Sequence, residues 1–242
     1  MHYACCSFRC ISFTKNILIL RVKSIMYFLE YFQRPVRFDY LLEYLPQSDI
    51  VVLDVGCGNH SPSLAKRYLR NCVYHGLDLN NEYNNDSNDF ASMDHFYKIN
   101  LDASDLNTIS DHCYDCIIFS HVIEHLQNGL EVLERLIRKL KQGGIIYIET
   151  PSSRSLKMPR MQGSLNFWDD PTHVKIYPLH ELTNTVTEKG CKLLRAGTRR
   201  SLKRIILIPV HFLYSLIKYK YVSGTVFWDI VGFANVLIAR KM

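Results

Sequence analysis

"VVLDVGCGNHSP", residues 51–62, is an apolar run that ends in an acid and opens into two glycines one residue apart. An apolar strand followed by a glycine-rich turn is the opening of an α/β nucleotide-type site, and the residues around it decide which ligand fits. A phosphate-binding P-loop would need Gly-Lys-Ser/Thr after the turn. Here Asn59-His60-Ser61 follows, and no lysine comes before Lys66. A dinucleotide fingerprint would need a third glycine at the helix start, where Ser61 stands.

Outward from this loop, residues 49–149 alternate short apolar runs with helical periodicity. The pattern predicts strands at 50–55, 72–77, 95–99, 114–119 and 144–149, with helices near 62–70, 103–110 and 129–140. Such alternation implies parallel strands joined by crossover helices, an α/β doubly wound sheet. The stretch "GLEVLERLIRKL" (129–140) carries leucines at helical spacing and is followed by "KQGG", where a glycine is expected to take the left-handed turn at the helix end. Beyond Pro151 an irregular segment leads to a helix from Pro178 to about Lys189, a strand at 191–197 and a last apolar run at 230–239. The polar "NNEYNNDSND" (80–89) reads as a solvated loop.

Composition bounds the function classes. The chain has 242 residues, 48% of them hydrophobic, and a formal net charge of +6. That charge is local: residues 191–242 hold ten Lys/Arg against one acid, Asp229, which leaves residues 1–190 near −3. The eight cysteines show no disulfide or zinc spacing, which fits reduced thiols in a cytoplasmic protein. Cys113 and Cys116 form a CxxC, but Cys116 falls inside a strand pattern, against a redox pair. The apolar run Ile17–Leu20 is too short for a signal sequence or a membrane span. Residues 1–45 are expected to form an extension and a helix, with the first 25 poorly ordered.

Downstream of the glycine loop the second strand ends in Gly76-Leu77-Asp78, which puts a carboxylate about twenty residues on, where it can accept both hydroxyls of a ribose. Asn100-Leu101-Asp102-Ala103 follows the third strand, where Asp102 can accept from an adenine amino group. The fourth strand, "YDCIIFSHVIEHL" (114–126), enters the same crevice.

With "VLDVGCG", "GLDLN", "NLDASDL", "YDCIIFSHVIEHL" and "LKQGGIIYIETP" in that order, residues from about 50 to 195 resemble the class I S-adenosylmethionine-dependent methyltransferases. The resemblance implies a mostly parallel seven-stranded Rossmann-like sheet, with the methyltransferase domain at 46–198 and 225–242. It implies that S-adenosylmethionine is the cofactor, that Gly56 and Gly58 let the backbone approach its aminoacyl part, and that Asp54 organises the loop. Asp78 would bind the ribose, Asp102 the adenine, and Ser120 with His121 would line the crevice. A sulfonium cofactor without phosphate accords with the missing lysine.

Methyl transfer needs an oriented acceptor and, for an alcohol, a base. His121, Glu124 and His125 fall on one face of a helical turn, and His173 lies in "NFWDDPTHVKIYPLHEL" (166–182), beside Phe167 and Trp168. His173 and His121 are the expected catalytic residues. Some relatives hold a divalent ion with a Glu-x-x-Glu-His motif and a later His, among them small-RNA 2′-O-methyltransferases. Here His121 replaces the first Glu, and no metal is expected. The "DPTHV" segment is similar to one in bacterial methyltransferases encoded with cell-surface glycan enzymes, which implies O-methylation of a small molecule or glycan. The alternatives are a metal-assisted RNA 2′-O-methyltransferase and a non-catalytic, cofactor-binding partner subunit.

The segment 199–224 reads as an insertion. Its apolar core, Ile205–Ile217, would span about 20 Å as a helix and is broken by Pro209, so it is short of a ~30 Å bilayer. It is expected either to cover the acceptor site as a lid or to lie on a membrane surface, with Arg199, Arg200, Lys203 and Arg204 at the headgroups. Nucleic acid is not an expected partner, because the basic cluster has aliphatic neighbours.

Overall fold

The computed structural model describes residues 31–242, apart from 47, 70, 81–85 and 104–105. The expectation for the first 25 residues lies outside them.

Seven strands form one sheet in the order β3-β2-β1-β4-β5-β7-β6. They are β1 (Ile50–Val55), β2 (Cys72–Asp78), β3 (His95–Lys98), β4 (Tyr114–Ser120), β5 (Leu140–Pro151), β6 (Cys191–Thr198) and β7 (Ala234–Lys241). The first five run parallel, and β7 pairs antiparallel with both β5 and β6. The central strand "IVVLDV" is apolar on both sides because both faces of the sheet are covered. Leu53 and Val55 enter one core with Leu133, Leu136 and Ile137 of the helix Gly129–Lys139. Ile50 and Val52 enter the other with Phe38 and Leu41 of the helix Val36–Tyr44 and Ala65 of the helix Ser61–Tyr68.

Strand order reverses at β1, whose neighbours are β2 and β4, so the loops after β1 and β4 leave the sheet side by side at its carboxyl edge. The glycine loop after β1, Asp78 at the end of β2 and the motif after β4 lie at that edge.

Three local expectations are corrected. No helix forms among the described residues of 103–110; they make turns, with Leu106 at φ +56° and both Leu106 and Ile109 buried in the core. The "solvated loop" at 80–89 contains the start of a helix, Ser87–Ala91, because the Asp86 carboxylate accepts from the N–H groups of Asn88 and Asp89 and caps it. The helix 129–139 passes into β5 through extended Leu140, and the left-handed glycine, Gly143 at φ +79°, serves an irregularity within β5 instead of the helix end.

Candidate functional site

The loop after β1 is shaped by contacts a larger residue would forbid. Gly56 has φ +70°, and a Cβ on it would lie 2.2 Å from Cγ2 of Val122, in the loop after β4. Its N–H donates to the carbonyl of Leu77 at 2.7 Å, which locks the loop to the end of β2. Gly58, at φ +52°, donates its N–H to the Asp78 carboxylate at 3.1 Å. The other Asp78 oxygen accepts from Leu79 N–H at 2.7 Å. Each oxygen keeps a lone pair for a ligand hydroxyl.

Asp54 is buried beneath the loop and accepts from Ser61 Oγ at 2.5 Å and Tyr74 Oη at 2.7 Å. Burial pushes its pKa up, against the Arg37 charge and these hydrogen bonds. Arg37 reaches Ser61 Oγ at 2.8 Å. The far side of the loop is held by buried Asp89, whose carboxylate accepts from His60 N–H at 2.7 Å and Ser63 N–H at 2.9 Å. Sequence reasoning missed Asp89; the readable signal was the Asp-Ser-Asn-Asp cap at 86–89.

Asp102 is exposed after β3 and accepts from Gln127 N–H at 3.2 Å, which joins the β3 and β4 loops across the crevice. Ser120 ends β4, paired with Glu149 of β5. The structure thus brings Gly56, Gly58, Asp78, Asp102, Ser120 and His121 to the carboxyl edge around the switch point.

His121 lies at φ +54°, its ring between two carboxylates: Nδ1 is 3.1 Å from Glu124 Oε1 and Nε2 is 3.1 Å from Glu149 Oε1. Burial alone would lower its pKa. The hydrogen bonds and charges of Glu124 and Glu149 outweigh that and push it up to about 9. The two carboxylates thus engage both ring nitrogens and favour the protonated form.

Glu149 also accepts from Arg199 Nη1 at 2.7 Å and from the Tyr147 hydroxyl. Burial works against its ionisation, yet Arg199 and His121 hold it well below the usual carboxylate range. Arg199 continues to Asp229 at 2.8 Å, and the His121 ring rests against Trp228 with centroids 5.1 Å apart. This chain of charges was not read from the sequence. Its signals were an acid inside the buried strand "YIETP" and Asp229, the single acid of residues 191–242.

His173 sits elsewhere. Its Nδ1–H donates to the Phe167 carbonyl at 2.6 Å, its ring stacks on Phe167, and the His125 ring is 4.8 Å away. His125 Nδ1 lies 3.2 Å from the Thr172 carbonyl and 2.9 Å from its hydroxyl. Glu124, His125 and His173 each bring one ligand-type atom to within 4.8 Å of the others, and His121 is outside that group. The two histidines are both engaged through Nδ1, and His173 Nε2 lies 3.9 Å from Asp170 Oδ2. Phe167 is buried, whereas Trp168 is exposed.

The basic block is also placed differently from expectation. Arg199 and Lys203 are buried; Lys203 donates to the carbonyls of Tyr31 and Arg34 and pairs with Asp39. Arg200 donates to the carbonyls of Asp229 and Ile230, and Arg204 pairs with Asp229 at 3.3 Å. These four cations hold the β6–β7 connection to the domain, so the headgroup role expected for them is corrected.

The glycine cradle that a Cβ would fill, with a carboxylate at the tip of β2 and no phosphate-type lysine, fits S-adenosylmethionine. Comparison with known proteins agrees. A family model described as a methyltransferase domain matches residues 28–196. Ubiquinone biosynthesis O-methyltransferases from Rickettsia bellii (strain OSU 85-389) and Rickettsia canadensis (strain McKiel) are 29% and 30% identical over 124 residues, 48% of this chain and 50–51% of theirs. The chain thus spans about half the length of the curated relatives it matches. In fold it is similar to a SAM-dependent methyltransferase from Archaeoglobus fulgidus (TM-score 0.55, 20% identity, 90% of this chain and 99% of that one). It is also similar to Haemonchus contortus phospholethanolamine N-methyltransferase 2, solved with S-adenosylhomocysteine (TM-score 0.60, 14% identity, 83% of this chain and 51% of that one). The family match over most of the chain, on a sheet and loop built as described, places it: the chain belongs to the class I S-adenosylmethionine-dependent methyltransferases.

Proposed function

We propose that the protein binds S-adenosylmethionine at the β1–β4 crevice and transfers its methyl group to an oxygen of a small-molecule or glycan acceptor. The observation that carries this reading is the joint of Gly58 N–H and the Asp78 carboxylate, which presents a ribose-binding acid directly beside the glycine cradle. The identity to ubiquinone biosynthesis O-methyltransferases supports an oxygen acceptor. When bound, the cofactor supplies an electrophilic methyl group, so the protein's work is placement. Asp78 holds the ribose, Asp102 reaches the adenine, and the loop amides meet the aminoacyl end. His121, bridged to Glu124 and Glu149, orders the floor of the crevice beside the β4 loop. His173 retains Nε2 as the atom that can take an acceptor proton.

Incubation with S-adenosylmethionine and hydroxylated aromatic or sugar acceptors should release S-adenosylhomocysteine and a product heavier by one methyl group. Cofactor binding without turnover on either acceptor class would favour the partner-subunit reading.

A second reading, metal-assisted transfer as in RNA 2′-O-methylation, is favoured by the Glu124, His125 and His173 group. Two imidazoles and a carboxylate suit a divalent transition ion, which would draw an acceptor hydroxyl toward ionisation. The buried free thiols Cys57, Cys72, Cys116 and Cys191 support a cytoplasmic location. No described helix is long and apolar enough to cross a membrane. Peripheral contact through 199–224 remains part of the proposal, on grounds other than the four basic residues.

A further inference from the structure

The β6–β7 connection turns its apolar side outward. Along the consecutive helices Leu202–Ile206 and Ile208–Tyr219, Leu202, Ile206, Val210, Leu213 and Ile217 are 71, 62, 60, 58 and 65% exposed. They recur at intervals of four, four, three and four residues, a single helical face. The opposite side is pinned to the protein. Lys203 is buried on Asp39 and on carbonyls of Tyr31 and Arg34, and Ser215 is buried, donating to Tyr221 O and accepting from Ser223 N–H, each at 2.9 Å. The stripe therefore faces outward because the polar residues between its members anchor the other side. A contiguous aliphatic face of this kind on a folded domain marks a docking surface.

The chemistry around the stripe selects the occupant. Residues 202–221 contain no Asp or Glu, and the two lysines at the end of the second helix, Lys218 and Lys220, make no ion pair among the described residues. Tyr214 and Tyr219 stand on either side of Lys218, whose Nζ lies 5.4 and 5.0 Å from their ring centroids, and Tyr214, Tyr219 and Tyr221 are all exposed. Aliphatic side chains flanked by tyrosine hydroxyls and lysine amines match the layering of a membrane interface, from acyl chains to headgroups.

We propose that this stripe docks the protein on an anionic lipid bilayer, with Leu202, Ile206, Val210, Leu213 and Ile217 entering the headgroup–acyl boundary and Lys218 and Lys220 meeting lipid phosphates. Docking brings the connection that carries Trp228 and Asp229, and with it the crevice, to the surface where an apolar acceptor would be held. It is measured without turnover, so it stands or falls separately from methyl transfer.

The test is co-sedimentation of the full chain with vesicles of phosphatidylglycerol and phosphatidylcholine at low salt, beside the variant carrying Leu213→Asp and Ile217→Asp. Both positions are exposed, so circular dichroism and cofactor calorimetry should show the variant folded. The expected result is that the native chain sediments with the vesicles and the variant's bound fraction falls roughly tenfold or more. Three results would overturn the proposal. The native chain stays in the supernatant; the variant binds as well as the native chain, placing the contact elsewhere; or light scattering shows a dimer that the two substitutions dissolve, which assigns the stripe to a second copy.

Discussion

At position 121 one imidazole meets two acids, and the linkage between its protonation and folding follows from its raised pKa. A histidine that titrates near 6.5 when unfolded and near 9 when folded contributes stability that is fully present below about pH 6.5. That contribution is lost as pH rises through 9. Between those limits the folded state binds more protons than the unfolded one. Unfolding free energy should therefore fall with pH, at up to about 1.4 kcal/mol per pH unit for this one group. Urea titrations at a series of pH values should show that decline in the native chain and a flatter line in His121→Gln; parallel lines would remove the charge assignment. Chelation separates the two readings of the neighbouring histidines. If Glu124, His125 and His173 hold an ion, a chelator should stop turnover while S-adenosylmethionine still binds, and manganese or magnesium should restore it. Indifference to chelator leaves His173 as an uncatalysed-by-metal proton acceptor. The turn at Gly56 and Gly58 was legible from spacing because it is local backbone geometry. The pairing of His121 was not, because Glu149 reaches it from β5, 28 residues along the chain.

Among the elements, the β6–β7 connection is fixed to the sheet through Arg199 and Asp229, both buried. Asp229→Ala should leave the Arg199 guanidinium short of a partner and cost about 3 kcal/mol in chemical denaturation. Arg204→Ala removes only a partly exposed pair to the same carboxylate and should cost under about 1 kcal/mol. Equal losses for the two would contradict the assignment of Arg199 as the anchor. The short helix Ser87–Ala91 has a similar logic: Asp89→Ala should lose the acceptors of two loop N–H groups, weakening cofactor binding and costing about 1–3 kcal/mol. Strands were legible because a parallel strand covered on both faces is an unbroken apolar run. The region 103–110 was misread because Leu106 and Ile109 face the core from turns, at a spacing a helix would also give. The anchoring role of the basic block was hidden because net charge in sequence does not reveal which cations find acids from distant segments.

For the whole molecule, strand order reverses at β1, between β2 and β4, and the described residues Gly58, Asp78, Asp102 and His121 converge on the crevice at its carboxyl edge. That convergence, more than any single residue, argues for a cofactor there, and binding can be separated from chemistry. Isothermal calorimetry with S-adenosylmethionine and S-adenosylhomocysteine on the native chain, Gly56→Val and Asp78→Ala is the direct measurement. Both ligands should bind the native chain. Gly56→Val, whose side chain would collide with Val122 at a left-handed φ, and Asp78→Ala, which removes the ribose carboxylate, should show no heat, with the sheet of Asp78→Ala intact by circular dichroism. A native chain that gives no heat with either ligand well above micromolar concentration, or an Asp78→Ala variant that binds undiminished, would contradict the placement of the cofactor.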